Sequence, residues 1–225
     1  MRRVFRDNGL SIAFLTIFLL ALVGQSIAGL AHTNEQLEQH HQVPVGYLDY
    51  VTSSDFLVDV AENWQSEFLQ FTLFILATVW LVQRGSPESK KPGDEGTGSD
   101  KSQLVGEHAR QDSPKWARVR GLRLWVYSNS LLIVMGSIFL LSWLAQSLAG
   151  QTVANEENAQ HGDPPLSWAE YVASPDFWDR TFQNWQSEFL AVGAMVVFSI
   201  YLRQRGSSES KPVGVPHATS SVESE

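Results

Sequence analysis

The sequence predicts an all-α integral membrane protein: a four-helix bundle built from two tandem helix hairpins that point the same way. Three observations predict it. The heptapeptide Asn63-Trp64-Gln65-Ser66-Glu67-Phe68-Leu69 returns letter for letter as Asn184-Trp185-Gln186-Ser187-Glu188-Phe189-Leu190, an offset of 121 residues. Without a gap, that offset matches about 36 of 83 positions between residues 8–90 and 129–211. Each copy holds two apolar runs. Basic residues avoid the connections inside the copies and collect everywhere else.

The runs come in order as Leu10 to Leu30, Phe68 to Val82, Leu131 to Leu148 and Phe189 to Leu202. The first is uncharged and, as a helix, spans about 31 Å, the thickness of a hydrocarbon core. The second and fourth are shorter than a typical lone span of about 17–25 residues. Trp64 and Trp185 extend them outward as interfacial anchors. Trp80, Trp125, Trp143 and Tyr201 also fall near run ends.

Charge gives the direction. The connection 31–63 carries Glu35, Glu38, Asp49, Asp55, Asp59 and Glu62 and no Lys or Arg. The connection 151–184 carries six acids and only Arg180. Lys and Arg are held on the cytoplasmic side during insertion. Both termini and the middle linker are therefore expected in the cytoplasm, and the acidic loops outside. A cleaved signal peptide over 1–31 fits the basic start and Gly29-Leu30-Ala31. The internal match Gln146-Ser147-Leu148-Ala149-Gly150 argues against it, since no peptidase signal is expected there.

The expected organisation is a first two-span repeat at 1–84, a flexible linker at 85–121, a second repeat at 122–205 and a disordered tail at 206–225. Residues 85–114 and the tail are rich in Gly, Ser, Pro and charge, which cannot bury enough apolar surface to order a chain. Between them, Lys115 to Trp125 mixes basic and aromatic residues, as a stop-transfer flank or a segment lying on anionic lipid does.

The acidic connections carry helix signals. Ser174-Pro175-Asp176-Phe177 places a Ser at the cap, a Pro at the first helical position and an acid in the first turn. Ser53-Ser54-Asp55-Phe56 is its counterpart. A helix from either start can run unbroken for roughly 30 residues, about 45 Å, ending in the first copy near Arg84-Gly85. Phe56, Val60, Trp64 and Phe68 then share one face. Before each start, Pro44-Val45-Gly46-Tyr47-Leu48-Asp49-Tyr50-Val51 and Pro165-Leu166-Ser167-Trp168-Ala169-Glu170-Tyr171-Val172 read as short interfacial helices.

The heptapeptide is the sharpest candidate site. On a helix, Asn63 and Glu67 share a face, as do Asn184 and Glu188. Gln25 and Gln146 lie at similar depth in the first and third runs. A carboxylate near a membrane core is costly unless paired or wet, so Glu67 and Glu188 are candidates for a polar cluster with Gln25, Gln146, Asn63 and Asn184. Such a cluster serves either as interhelical hydrogen bonding that locks the hairpins or as an ion or proton path. His40, His41 and His161 lack the spacing of a helical metal site, so no metal and no cofactor is expected. The small-residue pairs Gly24/Ala28 and Ala145/Ala149 suit close helix packing.

Several classes are disfavoured. A net charge of -8 argues against nucleic acid as a partner. The absence of cysteine removes thiolate chemistry and disulfides. No phosphate loop and no Gly-x-Ser-x-Gly is present. The expected function is non-enzymatic: a structural or partner-binding protein in the lipid bilayer, associating with itself or with an envelope protein. The alternative is a small cation or proton channel or transporter that uses Glu67 and Glu188.

Asp7-Asn8-Gly9-Leu10, Val23-Gly24-Gln25-Ser26, Asn63 through Gln70 and Gln83-Arg84-Gly85-Ser86-Pro87-Glu88-Ser89-Lys90 resemble a family of uncharacterised bacterial membrane proteins, a domain of unknown function. The resemblance covers most of the chain outside the linker and tail. It implies a bacterial inner-membrane location and four spans, and it brings no activity, cofactor or catalytic residue. The second copy departs where Gly9 becomes Ser130, at a span entrance.

Overall fold

The computed structural model describes residues 2–220. Among them the chain is all helical: α1 (Arg2–Asp7), α2 (Gly9–Gln39), α3 (Tyr47–Val51), α4 (Ser54–Trp80), α5 (Leu122–Ser128), α6 (Ser130–His161), α7 (Trp168–Val172) and α8 (Pro175–Tyr201), with short 3₁₀ turns at Gly106–His108 and Lys115–Arg118. Two of these helices, α2 and α6, are long and apolar enough to cross a membrane. The α4 and α8 helices have 27 residues each, but their N-terminal turns are polar.

The first and third apolar runs become longer helices than the runs themselves. Beyond Leu30, α2 continues through Asn34-Glu35-Gln36-Leu37-Glu38-Gln39, mostly good helix formers with no breaker. It stops at His40, and His41 takes a left-handed φ of 57°. Likewise α6 runs on to His161, where Gly162 turns with φ 76° ahead of Pro164-Pro165. The expected helix starts form as read. The Ser174 hydroxyl accepts from the Phe177 backbone N–H at 3.3 Å, with Pro175 in the first turn. Ser53 does the same for Phe56 at 3.3 Å. The two expected short helices form only in the second part of their segments, as α3 and α7, each starting three residues after the proline.

The chain divides into two compact units, Met1–Val60 with Ala145–Tyr171, and Ala61–Leu144 with Val172–Glu225. In the first unit, α2 and the segment after it are clamped by side chains. Asn34 bonds the Val45 backbone in both directions, donating to its carbonyl at 3.1 Å and accepting from its N–H at 2.7 Å. The Tyr47 and Ser26 hydroxyls meet at 2.9 Å. The Tyr50 ring is buried and lies so close to Gly29 that a Cβ there would overlap its hydroxyl. The end of α6 holds its own following segment in the same manner. Asn155 donates to the Leu166 carbonyl at 3.0 Å and accepts from its N–H at 2.7 Å, the Trp168 indole donates to Ser147 at 3.0 Å, and Tyr171 closes over Gly150.

In the second unit, α4 and α8 lie side by side and parallel. Glu62 pairs with Arg180, Gln65 with Trp185 and Gln70 with Glu188, so partners advance together along both helices. The stretch of α6 in this unit runs the other way. Gly136 faces Thr72 of α4, whereas Trp143, two turns on, stacks against Phe177 with ring centres 6.1 Å apart. Trp143 also meets Trp178 and Trp185, each at 6.0 Å, and Phe139 at 5.6 Å. Phe182 joins this cluster through Trp178 and Trp185.

Two outcomes differ from the sequence reading. Instead of reaching Arg84-Gly85, α4 ends at Trp80, where Lys90 and Gly96 of the following loop donate to the Val79 carbonyl. And residues 206–220, part of the tail expected to be disordered, form hydrogen-bonded turns around the half-buried Arg203 and the buried Lys211. The positions 221–225 of that expected tail lie outside the described residues.

Candidate functional site

The site is the seam between α4 and α8. The two heptapeptides meet there, but they do not play equal parts. Gln65 is fully buried and its side-chain oxygen accepts from the Trp185 indole at 2.8 Å. The Gln65 amide nitrogen has no partner. At the corresponding positions of the other copy, Gln186 and Trp64 are both exposed. Ser66 and Ser187 turn back on their own helices, donating to the carbonyls of Asn63 and Asn184 at 2.9 Å each.

One turn further in, Glu67 and Glu188 approach a single amide. With its nitrogen toward the acids, Gln70 donates to Glu188 Oε2 at 2.8 Å and to Glu67 Oε2 at 3.2 Å. One neutral donor thus bridges two like charges across the helix pair. On the N-terminal side of this bridge, Arg180 sits 3.5 Å from Glu62 and 3.4 Å from Asp176. It also positions Asn184, whose amide donates to the Arg180 carbonyl at 2.9 Å.

Gln25 and Gln146 belong to the other unit. Gln25 is half-buried on α2. Gln146 is fully buried on α6, and neither its amide oxygen nor its nitrogen has a hydrogen-bond partner. The donor that the acids use is Gln70, which sequence reasoning passed over because its counterpart in the second copy is Ala191. A search for retained residues misses a feature that exists only where the copies differ. The histidines stay apart from this chemistry: His161 bonds the Glu157 carbonyl, and His40 and His41 are exposed. Among the described residues no group of three metal-binding side chains is found.

At their C-terminal ends, both helices run into the same loop, Gln-Arg-Gly-Ser-x-Glu-Ser-Lys, at 83–90 and 204–211. Its folding is local and repeated. The Ser89 hydroxyl accepts from Gln83 N–H at 2.7 Å, and Ser210 accepts from Gln204 N–H at 2.9 Å. The Ser86 hydroxyl accepts from Glu88 N–H at 3.2 Å, and Ser207 from Glu209 N–H at 3.1 Å. The glycines turn with φ 91° at Gly85 and 84° at Gly206, a conformation that L side chains avoid.

Each loop ends in a lysine that meets backbone carbonyls, the favourable arrangement for a cation near a helix C-terminus. Lys90 donates to Val79 at 3.3 Å and to Gly96. Lys211 is 2% exposed and donates to Gly85, to His217 at 2.9 Å and to Thr219 at 3.0 Å. Burial, and secondarily the Arg203 guanidinium, pushes the Lys211 ammonium down from its ordinary value. Arg203 itself donates to Ile200 at 3.0 Å and to Val215 at 3.0 Å, tying the tail to the end of α8.

The two loops bring Glu88 and Glu209 together. The carboxyls share a hydrogen bond, and Glu88 is held above the usual glutamate range, first by burial, then by that bond and by the charge of Glu209. Between this pair and Gln70 lies a cavity of about 240 Å³. The seam therefore carries two acid pairs, Glu67/Glu188 and Glu88/Glu209, each spaced by 121 residues. Glu88 and Glu209 were visible as an aligned pair in the sequence; what hid them was their place in a polar, low-complexity stretch.

No curated protein and no solved structure matches the chain. A family model described as a domain of unknown function (DUF6766) matches residues 1–222, and the chain belongs to that family.

Proposed function

We propose that the protein is an integral protein of a bacterial inner membrane with four spans, α2, α4, α6 and α8. Both termini and the 85–121 linker lie in the cytoplasm, and the acidic connections face outward. It acts without catalysis, as a structural or partner-binding membrane protein made of two hairpins of like orientation. The charge asymmetry of the loops supports the direction. The parallel course of α4 and α8 supports two hairpins inserted the same way.

The observation that carries the structural reading is the polar seam: Glu62–Arg180, Gln65–Trp185 and the Gln70 bridge between Glu67 and Glu188. Interhelical hydrogen bonds of this kind hold helices in lipid at fixed register. Mild crosslinking in native membranes tests the association. Adducts larger than the monomer, reduced when Trp64 and Trp168 are replaced by Ala, are expected. Monomer alone at every crosslinker dose contradicts it.

A second reading rests on Glu67 and Glu188 facing the same donor. Two carboxylates at one point of a membrane helix pair form a natural relay for a proton or small cation. Flux in proteoliposomes checks it: Glu67→Gln with Glu188→Gln is expected to abolish transport, and unchanged flux removes both residues from any route.

A further inference from the structure

We infer that the cavity between α4 and α8 is a binding site for a small organic cation, its ammonium group held by Glu88 and Glu209 and its apolar body by Phe71, Phe74, Val192 and Met195. This goes beyond both functional readings above and depends on neither. The cavity is lined along its length by side chains from both helices, with Gln70 and the two loop carboxyls as its polar groups. Its volume of about 240 Å³ lies just below the range of roughly 300–1,000 Å³ found for drug-sized ligands, which selects a small occupant.

Charge complementarity selects the cation. No basic side chain lines the cavity. The lysines nearest in sequence are committed elsewhere, Lys90 to the carbonyls of Val79 and Gly96 and Lys211 to a cage of four carbonyls. The serine hydroxyls of each loop fix the backbone of Glu88 and Glu209, and the hydrogen bond that the two carboxyls share holds them side by side before any ligand arrives. Preorganised acceptors lose little on binding an ammonium donor. The apolar walls exclude a hydrated metal ion, which wants six or more oxygens. They suit the hydrocarbon part of an amine, and aromatic faces such as Phe71 and Phe74 favour a nearby cationic group as well.

The test uses the full-length protein in nanodiscs with phenethylammonium as the probe and 3-phenylpropionate and butylbenzene as anionic and neutral counterparts. Equilibrium dialysis is expected to show saturable binding of the ammonium alone. Glu88→Gln with Glu209→Gln is expected to weaken it about tenfold or more, the loss of a charge-assisted contact. Val192→Trp, which fills the cavity and leaves the carboxyls in place, is expected to abolish it. Asp112→Asn, an exposed carboxylate of the linker, is expected to leave it within about twofold, which separates the site from general surface charge. Absence of saturable binding, equal binding of butylbenzene as a lipid-like filler, or full binding to the Val192→Trp protein overturns the proposal. Thermal melting of each variant identifies any that fail to fold, and Val192→Trp keeps the test decisive if the double Gln variant is one of them.

Discussion

The clamps at the ends of α2 and α6 and the seam between α4 and α8 use the same doubled sequence in opposite ways. At the clamps, each copy folds against itself. Asn34 and Asn155 make the same two backbone bonds, Tyr47 and Trp168 reach Ser26 and Ser147, and Tyr50 and Tyr171 cover Gly29 and Gly150. The result is two matching structures. At the seam, the copies fold against each other, and identical heptapeptides take different places. Gln65 is buried against Trp185, while Gln186 and Trp64 are exposed. Local interactions duplicate with the sequence. An interface between copies has one inside, and the residues that differ, such as Gln70 against Ala191, decide which copy fills it.

The largest expected effect breaks the aromatic packing of α6 on α8, beside the seam. Trp143→Ala removes the ring that meets Phe139, Phe177, Trp178 and Trp185. It should cost about 3–5 kcal/mol of stability, measured by denaturation in detergent. Next come the clamps. Gly29→Val and Gly150→Val should each cost about 1–3 kcal/mol through overlap with a buried tyrosine. The two losses should agree closely, since the contacts match; a large difference would mean the clamps are not equivalent.

Smaller effects sharpen the contrast. Gln65→Leu leaves the Trp185 N–H without its acceptor and should cost about 1–2 kcal/mol, whereas Gln186→Leu should change little. Equal effects would make the seam symmetric. The smallest effect is in pH dependence. Glu88 is held above its ordinary value in the folded state, so the folded protein binds the extra proton. Its contribution to stability is full below the ordinary glutamate range and is lost as pH rises through the raised value. Glu88→Gln should flatten the melting-temperature profile across that interval, and an unchanged profile would show that the carboxyl pair does not titrate with folding.

Much of the fold was legible. The caps at Ser53 and Ser174, the presence of a short helix before each, and the all-helical class followed from local signals that need no tertiary partner. The helix ends were not legible. Arg84-Gly85 reads as a boundary because glycine breaks helices, but α4 stops at Trp80, where Lys90 and Gly96 arrive from the following loop to satisfy the Val79 carbonyl. The tail was read as disordered from its composition. Its order rests on Arg203 and Lys211, two long cations that each gather several carbonyls, and composition counts such residues only as solvated charge. The candidate site was half visible. Glu67 and Glu188 announced themselves by repetition, while their donor Gln70 did not.

The central claim is that α4 and α8 pair in parallel, in the register set by the two heptapeptides. The chain has no cysteine, so introduced thiols report without background. Glu62→Cys with Arg180→Cys, and Gln70→Cys with Glu188→Cys, should each crosslink within one chain in native membranes under a short bismaleimide. Crosslinking instead between Glu62→Cys and Glu188→Cys, and between Gln70→Cys and Arg180→Cys, would reverse the helix pair and contradict the account.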